Sequence, residues 1–163
     1  MSVRKLNLSY VLGGLTVAAL TLAGCSTAPA AQRDESTGEI TASAEADVFS
    51  IAVGDCLDLS SSSMSEEVSS LPTVPCADEH DSEVYAETSL PDGEYPADLE
   101  DQAAQFCYDQ FAPFVGLSYE ESTLDVQPMT PTQYGWEEGD DRVIQCILLS
   151  PERVTGTLAG SAI

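Results

Sequence analysis

Four cysteines in the second part of the chain limit what it can fold into. They are Cys56, Cys76, Cys107 and Cys146, and no two of them lie within four residues of each other. A zinc site typically needs cysteine pairs two to four residues apart, so the spacing excludes one. In an oxidising compartment the four cysteines form two disulfides, which stabilise a small domain. Three pairings are possible, and we favour nearest neighbours in sequence, Cys56 with Cys76 and Cys107 with Cys146.

The first 25 residues indicate that the protein leaves the cytoplasm. Two basic residues, Arg4 and Lys5, precede an apolar run over 11–23, which ends in Leu22-Ala23-Gly24-Cys25. The run is shorter than the roughly 20 apolar residues of a membrane-spanning helix. This order resembles the signal peptide and lipobox of bacterial lipoproteins. The resemblance implies that residues 1–24 are removed and that Cys25 receives a diacylglyceryl group.

Lipid on Cys25 would place the folded part of the chain outside the cytoplasm. Two acyl chains hold a protein stably on a membrane, whereas one chain binds only weakly. We therefore expect a membrane-anchored lipoprotein, carrying palmitate or a similar acyl chain, on the extracytoplasmic face of the cell membrane. The alternative is an ordinary signal peptide that is cut at another bond.

The chain is strongly acidic after Cys25. It has 28 acidic and 5 basic residues in total, and two of the basic residues lie in the segment predicted to be removed. The remainder keeps Arg33, Arg142 and Arg153 and contains no lysine. Such a surface repels nucleic-acid phosphates, which excludes DNA or RNA as a partner. It favours solubility, and it also suits a cation or a basic partner.

Composition divides the exported part into a linker and one domain. Small, polar and acidic residues dominate positions 26–47, where Ile40 is the only large apolar side chain. Such a segment cannot bury enough surface to offset its ordering entropy, so we predict a lipidated cysteine and a disordered tether over 25–47. Residues 48–163 suffice for one small domain.

A helix is the clearest predicted element of that domain. Leu99, Ala103, Phe106, Cys107 and Phe111 recur at three- and four-residue steps, which predicts one apolar stripe. Pro96 suits the first turn of the helix, and Pro113 and Gly116 end it.

Alternating apolar and polar residues predict the strands. We expect strands over 49–59, 82–88 and 124–129, with a short extended piece over 73–76. Two hairpin arms are predicted over 133–136 and 142–149, joined by a loop over 137–141 in which Gly139 takes a positive φ. Residues 153–159 add a short final strand. The predicted fold class is therefore α+β, a small antiparallel sheet with one main helix packed on it and two disulfides.

Several short pieces in a fixed order carry a family resemblance. They are Val53-Gly54-Asp55-Cys56, Val74-Pro75-Cys76, His80-Asp81-Ser82-Glu83-Val84, Cys107, Pro131-Thr132 with Trp136, Asp141-Arg142 before Cys146, and Gly160-Ser161. Together they resemble the septum formation family of Gram-positive bacteria and span nearly all of the predicted domain. The resemblance implies an exported or membrane-attached domain linked to division or the cell envelope, and no known reaction. The family pattern leads us to expect Gly-Asp-Arg in the hairpin loop, whereas this chain has an additional acid there, Gly139-Asp140-Asp141-Arg142.

Six residues form a candidate surface for a partner or an ion: His80, Asp81, Glu83, Trp136, Asp140 and Arg142. His80, the only histidine, is either a ligand or acid–base group among carboxylates, or a turn residue bonded to the backbone or to Asp81. Trp136 either faces a partner with Tyr134 or packs on the helix stripe. Arg142 is expected to pair with a carboxylate such as Asp140 or Asp55.

The same residues argue against catalysis. A single histidine without a free thiol supports neither a histidine-rich zinc site nor a cysteine–histidine nucleophile, and the chain has no Gly-x-Ser-x-Gly. We therefore predict a non-enzymatic binding or structural domain without cofactor or metal, with an envelope or division protein as partner. The alternative is a solute- or metal-ion-binding lipoprotein, since five aspartates could supply oxygens to calcium without EF-hand spacing: Asp55, Asp58, Asp78, Asp81 and Asp140.

Overall fold

A computed structural model of the chain describes residues 28–60 and 67–163. The predicted signal peptide and the lipid site at Cys25 lie outside the described residues. The elements in chain order are β1 (Ala44–Asp47), β2 (Cys56–Leu57), β3 (Ser70–Val74), β4 (His80–Ser89), α1 (Leu99–Val115), β5 (Asp125–Met129), α2 (Gln133–Glu138) and β6 (Val143–Val154). Single turns of 3-10 helix cover Val48–Ser50 and Tyr119–Glu121.

The six strands form one antiparallel sheet in the order β1-β3-β2-β4-β6-β5. Strands β4 and β6 are the longest and pair along most of their length, from His80 opposite Val154 to Ser89 opposite Val143. The chain between β5 and β6 contains α2, so these two strands form a hairpin with a long connection. The predicted α+β fold, with a small antiparallel sheet and one main helix, is confirmed.

Helix α1 packs on one face of the sheet, as its apolar stripe predicts. Its buried side chains are Leu99, Ala103, Cys107, Phe111 and Val115. They contact a cluster that includes Tyr85 of β4 and Ile144 and Leu148 of β6. The helix continues past Pro113 and ends at Gly116, whose φ of +85° is left-handed and whose N–H donates to the carbonyl oxygen of Ala112.

The other face of the sheet has its own smaller core. Leu57, Leu71, Val84 and Ile147 are fully buried or nearly so in this cluster, together with Ile51 from the loop before β2. Strand β6 contributes to both cores because its side chains alternate between the faces. This is why its sequence is apolar over 146–149 rather than alternating.

Both disulfides have the favoured nearest-neighbour pairing. Cys56–Cys76 joins β2 to the residues that follow β3, with Cα atoms 5.2 Å apart. Cys107–Cys146 joins α1 to β6, with Cα atoms 5.4 Å apart. The second bond lies in the core between helix and sheet, so it fixes the helix on the face that it covers.

The structure differs from the predicted tether over 26–47. Residues 44–47 form β1, an edge strand paired with β3, and Ile40 is buried. Earlier in the chain, the Arg33 guanidinium forms a bidentate ion pair with the buried carboxylate of Asp55. Local composition cannot reveal such long-range contacts, so the prediction of disorder was wrong for residues 28–47.

Two further elements differ from the prediction. The expected strand over 49–59 is a 3-10 turn followed by the two-residue β2, because the Asp47 side chain accepts from the N–H of Phe49 and caps the turn. The expected hairpin arm over 133–136 is α2, whose first turn is capped by the Thr132 hydroxyl accepting from Gly135 N–H at 2.9 Å. The predicted final strand over 153–159 is instead the end of β6, which stops at Val154.

Among the described residues, no helix has the length and apolar character needed to cross a membrane.

Candidate functional site

The six candidate residues fall into two groups at opposite ends of β4. His80, Asp81 and Glu83 lie at the start of the strand, while Arg142 adjoins its last residue, because Val143 pairs with Ser89. Nine residues of strand separate the two ends, a distance of roughly 30 Å. The candidate surface predicted from the sequence is therefore two places, which we call the His80 end and the Trp136 end.

His80 is a buried structural residue. Its side chain has no exposed surface, and its Nδ1 lies 2.9 Å from the carbonyl oxygen of Asp78. A carbonyl oxygen only accepts, so Nδ1 carries the hydrogen in this bond. The ring thereby fixes the turn that leads into β4, which agrees with the interpretation of His80 as a turn residue. The partner is the backbone of Asp78 rather than the Asp81 side chain.

The neighbouring acids are occupied by the fold. The Asp81 carboxylate accepts from the N–H of Leu59 at 2.8 Å and from the Ser82 hydroxyl at 2.7 Å. The Glu83 carboxylate, almost fully buried, accepts from the Thr157 hydroxyl at 2.7 Å and from the N–H of Leu158. Both side chains therefore tie distant segments to β4.

Four of the five aspartates considered for calcium are engaged in other contacts. Asp55 is paired with Arg33, and Asp58 with Arg153, whose hydrogen bonds lower the pKa of the Asp58 carboxyl group. Asp81 bonds to Leu59, and Asp140 lies at the other end of the molecule. In the described ranges 28–60 and 67–163, no group of three or more metal-ligating side chains is close enough to hold an ion.

The Trp136 end contains an open pocket of about 550 Å³. Trp136 itself is buried, and its indole N–H donates to the carbonyl oxygen of Gly93 at 2.9 Å. The edge of its ring meets Tyr95 at 5.8 Å between centroids, nearly perpendicular. Trp136 is therefore a core residue, which is one of the two roles predicted for it. It packs on the connector before α1 and not on the helix stripe. Tyr134 is 77 % exposed, as expected of a partner-facing aromatic residue.

Arg142 forms one wall of this pocket. Its guanidinium carbon lies 4.0 Å from the centre of the Trp136 ring, within cation–π range. One terminal nitrogen donates to the backbone oxygens of Trp136 at 2.7 Å and Asp141 at 2.9 Å. The buried Nε has no hydrogen-bond partner among the described residues, since the nearest carboxylate, that of Asp92, is 3.6 Å away.

The additional acid of the loop, Asp140, helps to hold this arginine. Its carboxylate lies 3.4 Å from Nη2 of Arg142, which confirms the predicted pairing with Asp140; the other predicted partner, Asp55, pairs with Arg33. Asp140 also takes the left-handed conformation of the loop, with φ of +54°, whereas Gly139 has φ of −108°. The prediction of a positive φ at Gly139 was therefore wrong by one residue, because aspartate also tolerates this conformation.

The pocket combines a hydrogen-bond donor with acceptors. Arg142, whose buried Nε–H is unpartnered among the described residues, lines the pocket together with Glu94 and Glu137, whose carboxylates are acceptors. Tyr95 adds aromatic surface to the same lining. This arrangement suits a ligand group that accepts and donates at once, such as an amide, better than a free anion, which the carboxylates would repel.

Two contributors to the Trp136 end, Tyr95 and Asp92, were not predicted from the sequence. Tyr95 lines the pocket and contacts Trp136, whereas Asp92 lies outside the lining and pairs with Arg142; both come from the connector before α1 and arrive only through tertiary folding. The sequence contains one indication of the role of Tyr95, since it is an aromatic residue in an otherwise turn-like connector, directly before Pro96. Asp92 is one of many exposed acids, and nothing in the sequence distinguishes it.

Comparison with known proteins identifies the family of the chain. No curated protein and no solved structure matches it. A family model described as "Septum formation" matches residues 53–161, which include the four disulfide cysteines, His80 and the Trp136 pocket. The match covers more than half of the chain, and the protein belongs to the septum formation family.

Proposed function

We propose that the protein is a lipid-anchored, extracytoplasmic binding domain that serves septum formation and has no enzymatic activity. The observation that carries the proposal is the pair of disulfides in a septum formation domain, because such bonds persist outside the cytoplasm. The lipobox-like segment ending at Cys25 supports attachment of this domain to the membrane through lipid.

The Trp136 pocket is the proposed contact for the partner. Tyr134, outside the lining but on α2, which supplies three lining residues, is exposed, and aromatic residues are enriched where proteins bind each other. The unpartnered donor of Arg142 supports a ligand with an acceptor oxygen. Peptide backbone and amide-bearing envelope material both meet this requirement.

Charge supports a basic or neutral partner rather than an acidic one. Each arginine after Cys25 is already paired: Arg33 with Asp55, Arg142 with Asp92 and Asp140, and Arg153 with Asp58 and Glu79. The domain therefore shows mainly unpaired carboxylates to its surroundings. It is expected to stay away from anionic lipid headgroups and to attract cationic surfaces.

Deletion and imaging test the proposal. Loss of the protein should delay or misplace septa, and a tagged copy should concentrate at division sites. A Cys25→Ser copy should lose membrane attachment in fractionation, because serine cannot carry the thioether-linked lipid. Normal septa in the deletion strain together with uniform distribution of the tagged copy would remove the septal role.

A matched pair of variants tests the pocket. Tyr134→Ala should fail to restore normal septa in the deletion strain while the protein remains folded and anchored. Tyr108→Ala, at a partly exposed tyrosine on α1, should restore them. Equal behaviour of the two variants would show that the Trp136 end is not the contact.

A further inference from the structure

A second groove lies between α1 and the sheet, close to the Trp136 end. It measures about 540 Å³. Its floor is apolar and consists of Leu90, Phe106 and Ile144, all of which pack on the core beneath. Leu90 follows β4, and its N–H donates to the carbonyl oxygen of Arg142, so the connector that leads to the Trp136 pocket starts at this groove.

One wall of the groove is a row of acids on α1. Asp98, Asp101 and Asp109 line it, with Gln105 between them, at steps that place all four on one side of the helix. The helix dipole accounts for acids at the first turn, such as Asp98 and Asp101. Asp109 lies near the middle of α1, where the dipole gives no such advantage, and within residues 28–60 and 67–163 it accepts only from the Gln105 amide, at 2.8 Å.

This row has no cationic partner in the described part of the chain. Asp98 accepts from the Gln102 amide, and the three arginines after Cys25 are paired elsewhere. An apolar floor beside unneutralised carboxylates is complementary to a segment that carries both apolar and basic side chains. Anionic lipid and nucleic acid lack that complementarity because they share the charge of the groove.

We propose that this groove binds a basic amphipathic segment of a protein partner. An apolar side chain of the segment occupies the floor over Phe106, and lysine or arginine side chains contact Asp98, Asp101 and Asp109. The inference rests on the proposed binding function and adds the chemistry of the partner. It can fail while septal localisation remains, since localisation is measured independently in cells.

The test uses the full chain in nanodiscs of neutral phosphatidylcholine and the synthetic peptide Lys-Lys-Leu-Lys-Lys. We expect the peptide to shift the NMR methyl signals of Leu90 and Ile144. Replacing the row by Asp98→Asn, Asp101→Asn and Asp109→Asn should weaken binding about tenfold, because three exposed ion pairs are lost. Binding should also weaken as salt is raised.

Controls separate the groove from the net charge of the protein. Glu35→Gln, Glu138→Gln and Glu152→Gln remove the same charge from exposed positions outside the groove lining, and they should change affinity less than twofold. The peptide Lys-Lys-Ser-Lys-Lys, which has the same charge without the apolar side chain, should not shift the two methyl signals. Equal weakening by both triple variants, or unmoved methyl signals with the leucine peptide, would overturn the proposal.

A second variant keeps the test valid if the triple variant does not fold. Gln105→Lys places a cation within about one helical turn of both Asp101 and Asp109, where it competes with the peptide. It should weaken binding several-fold, whereas Gln110→Lys, on the same helix but outside the groove lining, should not. Unchanged binding by Gln105→Lys would contradict the proposal.

Discussion

The two ends of β4 use polar side chains in opposite ways. At the His80 end, His80, Asp81 and Glu83 are buried, and the two carboxylates each accept from a backbone N–H of another segment. At the Trp136 end, Arg142 is held by the backbone oxygens of Trp136 and Asp141, while its acidic neighbours extend into solvent. Polar residues of one end complete the fold, and those of the other remain available to a ligand.

A cluster of titratable residues in the sequence is therefore not by itself a functional site. The chain around His80 has the denser cluster of charge, yet it is buried and both carboxylates are hydrogen-bonded within the fold; Nε2 of His80 is buried without a partner among the described residues. The sparser group around Trp136 borders a pocket because its acids lie on an exposed loop and connector. Mutations should accordingly affect stability at the first end and binding at the second.

The largest loss of stability is expected at the His80 end, when the Cys56–Cys76 disulfide is removed. This bond joins β2 to the residues after β3. Cys56→Ser together with Cys76→Ser should lower the free energy of unfolding by about 3 kcal/mol, because a closed loop of 20 residues is released. Urea denaturation of the variant and the wild type measures the difference. A loss below 1 kcal/mol would mean that the unfolded chain is already constrained in this region.

The second largest effect is expected for Glu83→Ala, which should lower the free energy of unfolding by about 2 kcal/mol. It leaves the buried N–H of Leu158 and the Thr157 hydroxyl without their acceptor. Glu83→Gln, which keeps one acceptor oxygen, should cost less, and denaturant titration of both variants gives the comparison. Wild-type stability for the alanine variant would contradict a structural role for this end.

Tyr85, in the middle of β4, gives a smaller effect that depends on pH. Its hydroxyl donates to the carbonyl oxygen of Cys107 at 2.6 Å. Tyr85→Phe removes this hydrogen bond and should lower the free energy of unfolding by about 1 kcal/mol at pH 7. Burial raises the pKa of Tyr85, so the folded state retains a proton that the unfolded state releases above about pH 10. Wild-type stability should therefore fall by about 1 kcal/mol per pH unit above that point through this residue alone.

Urea unfolding at pH 8 and pH 11 measures this contribution. The Tyr85→Phe variant should lose less stability between the two pH values than the wild type does. Tyr134→Phe, at an exposed position, should behave like the wild type. The same alkaline loss in all three proteins would show that Tyr85 is not the titrating group.

The smallest expected effect is at the Trp136 end. Asp92→Asn removes a carboxylate that is 93 % exposed and 3.6 Å from Arg142, and such surface pairs contribute less than about 1 kcal/mol. Thermal melting should detect almost no change. If Asp92→Asn lowered stability as much as Glu83→Ala does, polar side chains at the two ends would contribute equally to stability, contrary to our expectation.

Sequence periodicity was sufficient for the elements with long, one-sided patterns. The stripe of α1 repeats over four turns, and the apolar core of β6 is bounded by polar residues, so α1 and the first part of β6 were predicted, whereas the continuation of β6 to Val154 was not. Helix α2 has only six residues, too few for a helical period to be distinguished from alternation. Its formation depends on the Thr132 cap, a local hydrogen bond that the apolar pattern does not contain.

Long-range pairing explains what the sequence could not reveal. Residues 28–47 have the composition of a linker, but Arg33 forms an ion pair with Asp55, and β1 pairs with the edge of β3. At the candidate site, the pairing of Arg142 with Asp140 is local and was predictable, whereas Tyr95 and Asp92 arrive from another part of the chain. The burial of His80 likewise follows from pairing with Val154, more than 70 residues away.

The complete pairing of the arginines has a practical consequence for biochemistry. Trypsin cuts after lysine or arginine, and after Cys25 the chain offers only Arg33, Arg142 and Arg153, each engaged with carboxylates. The purified folded domain should therefore resist trypsin. Amine-directed cross-linkers find no lysine side chain after Cys25, so partners are better captured with reagents that activate carboxyl groups.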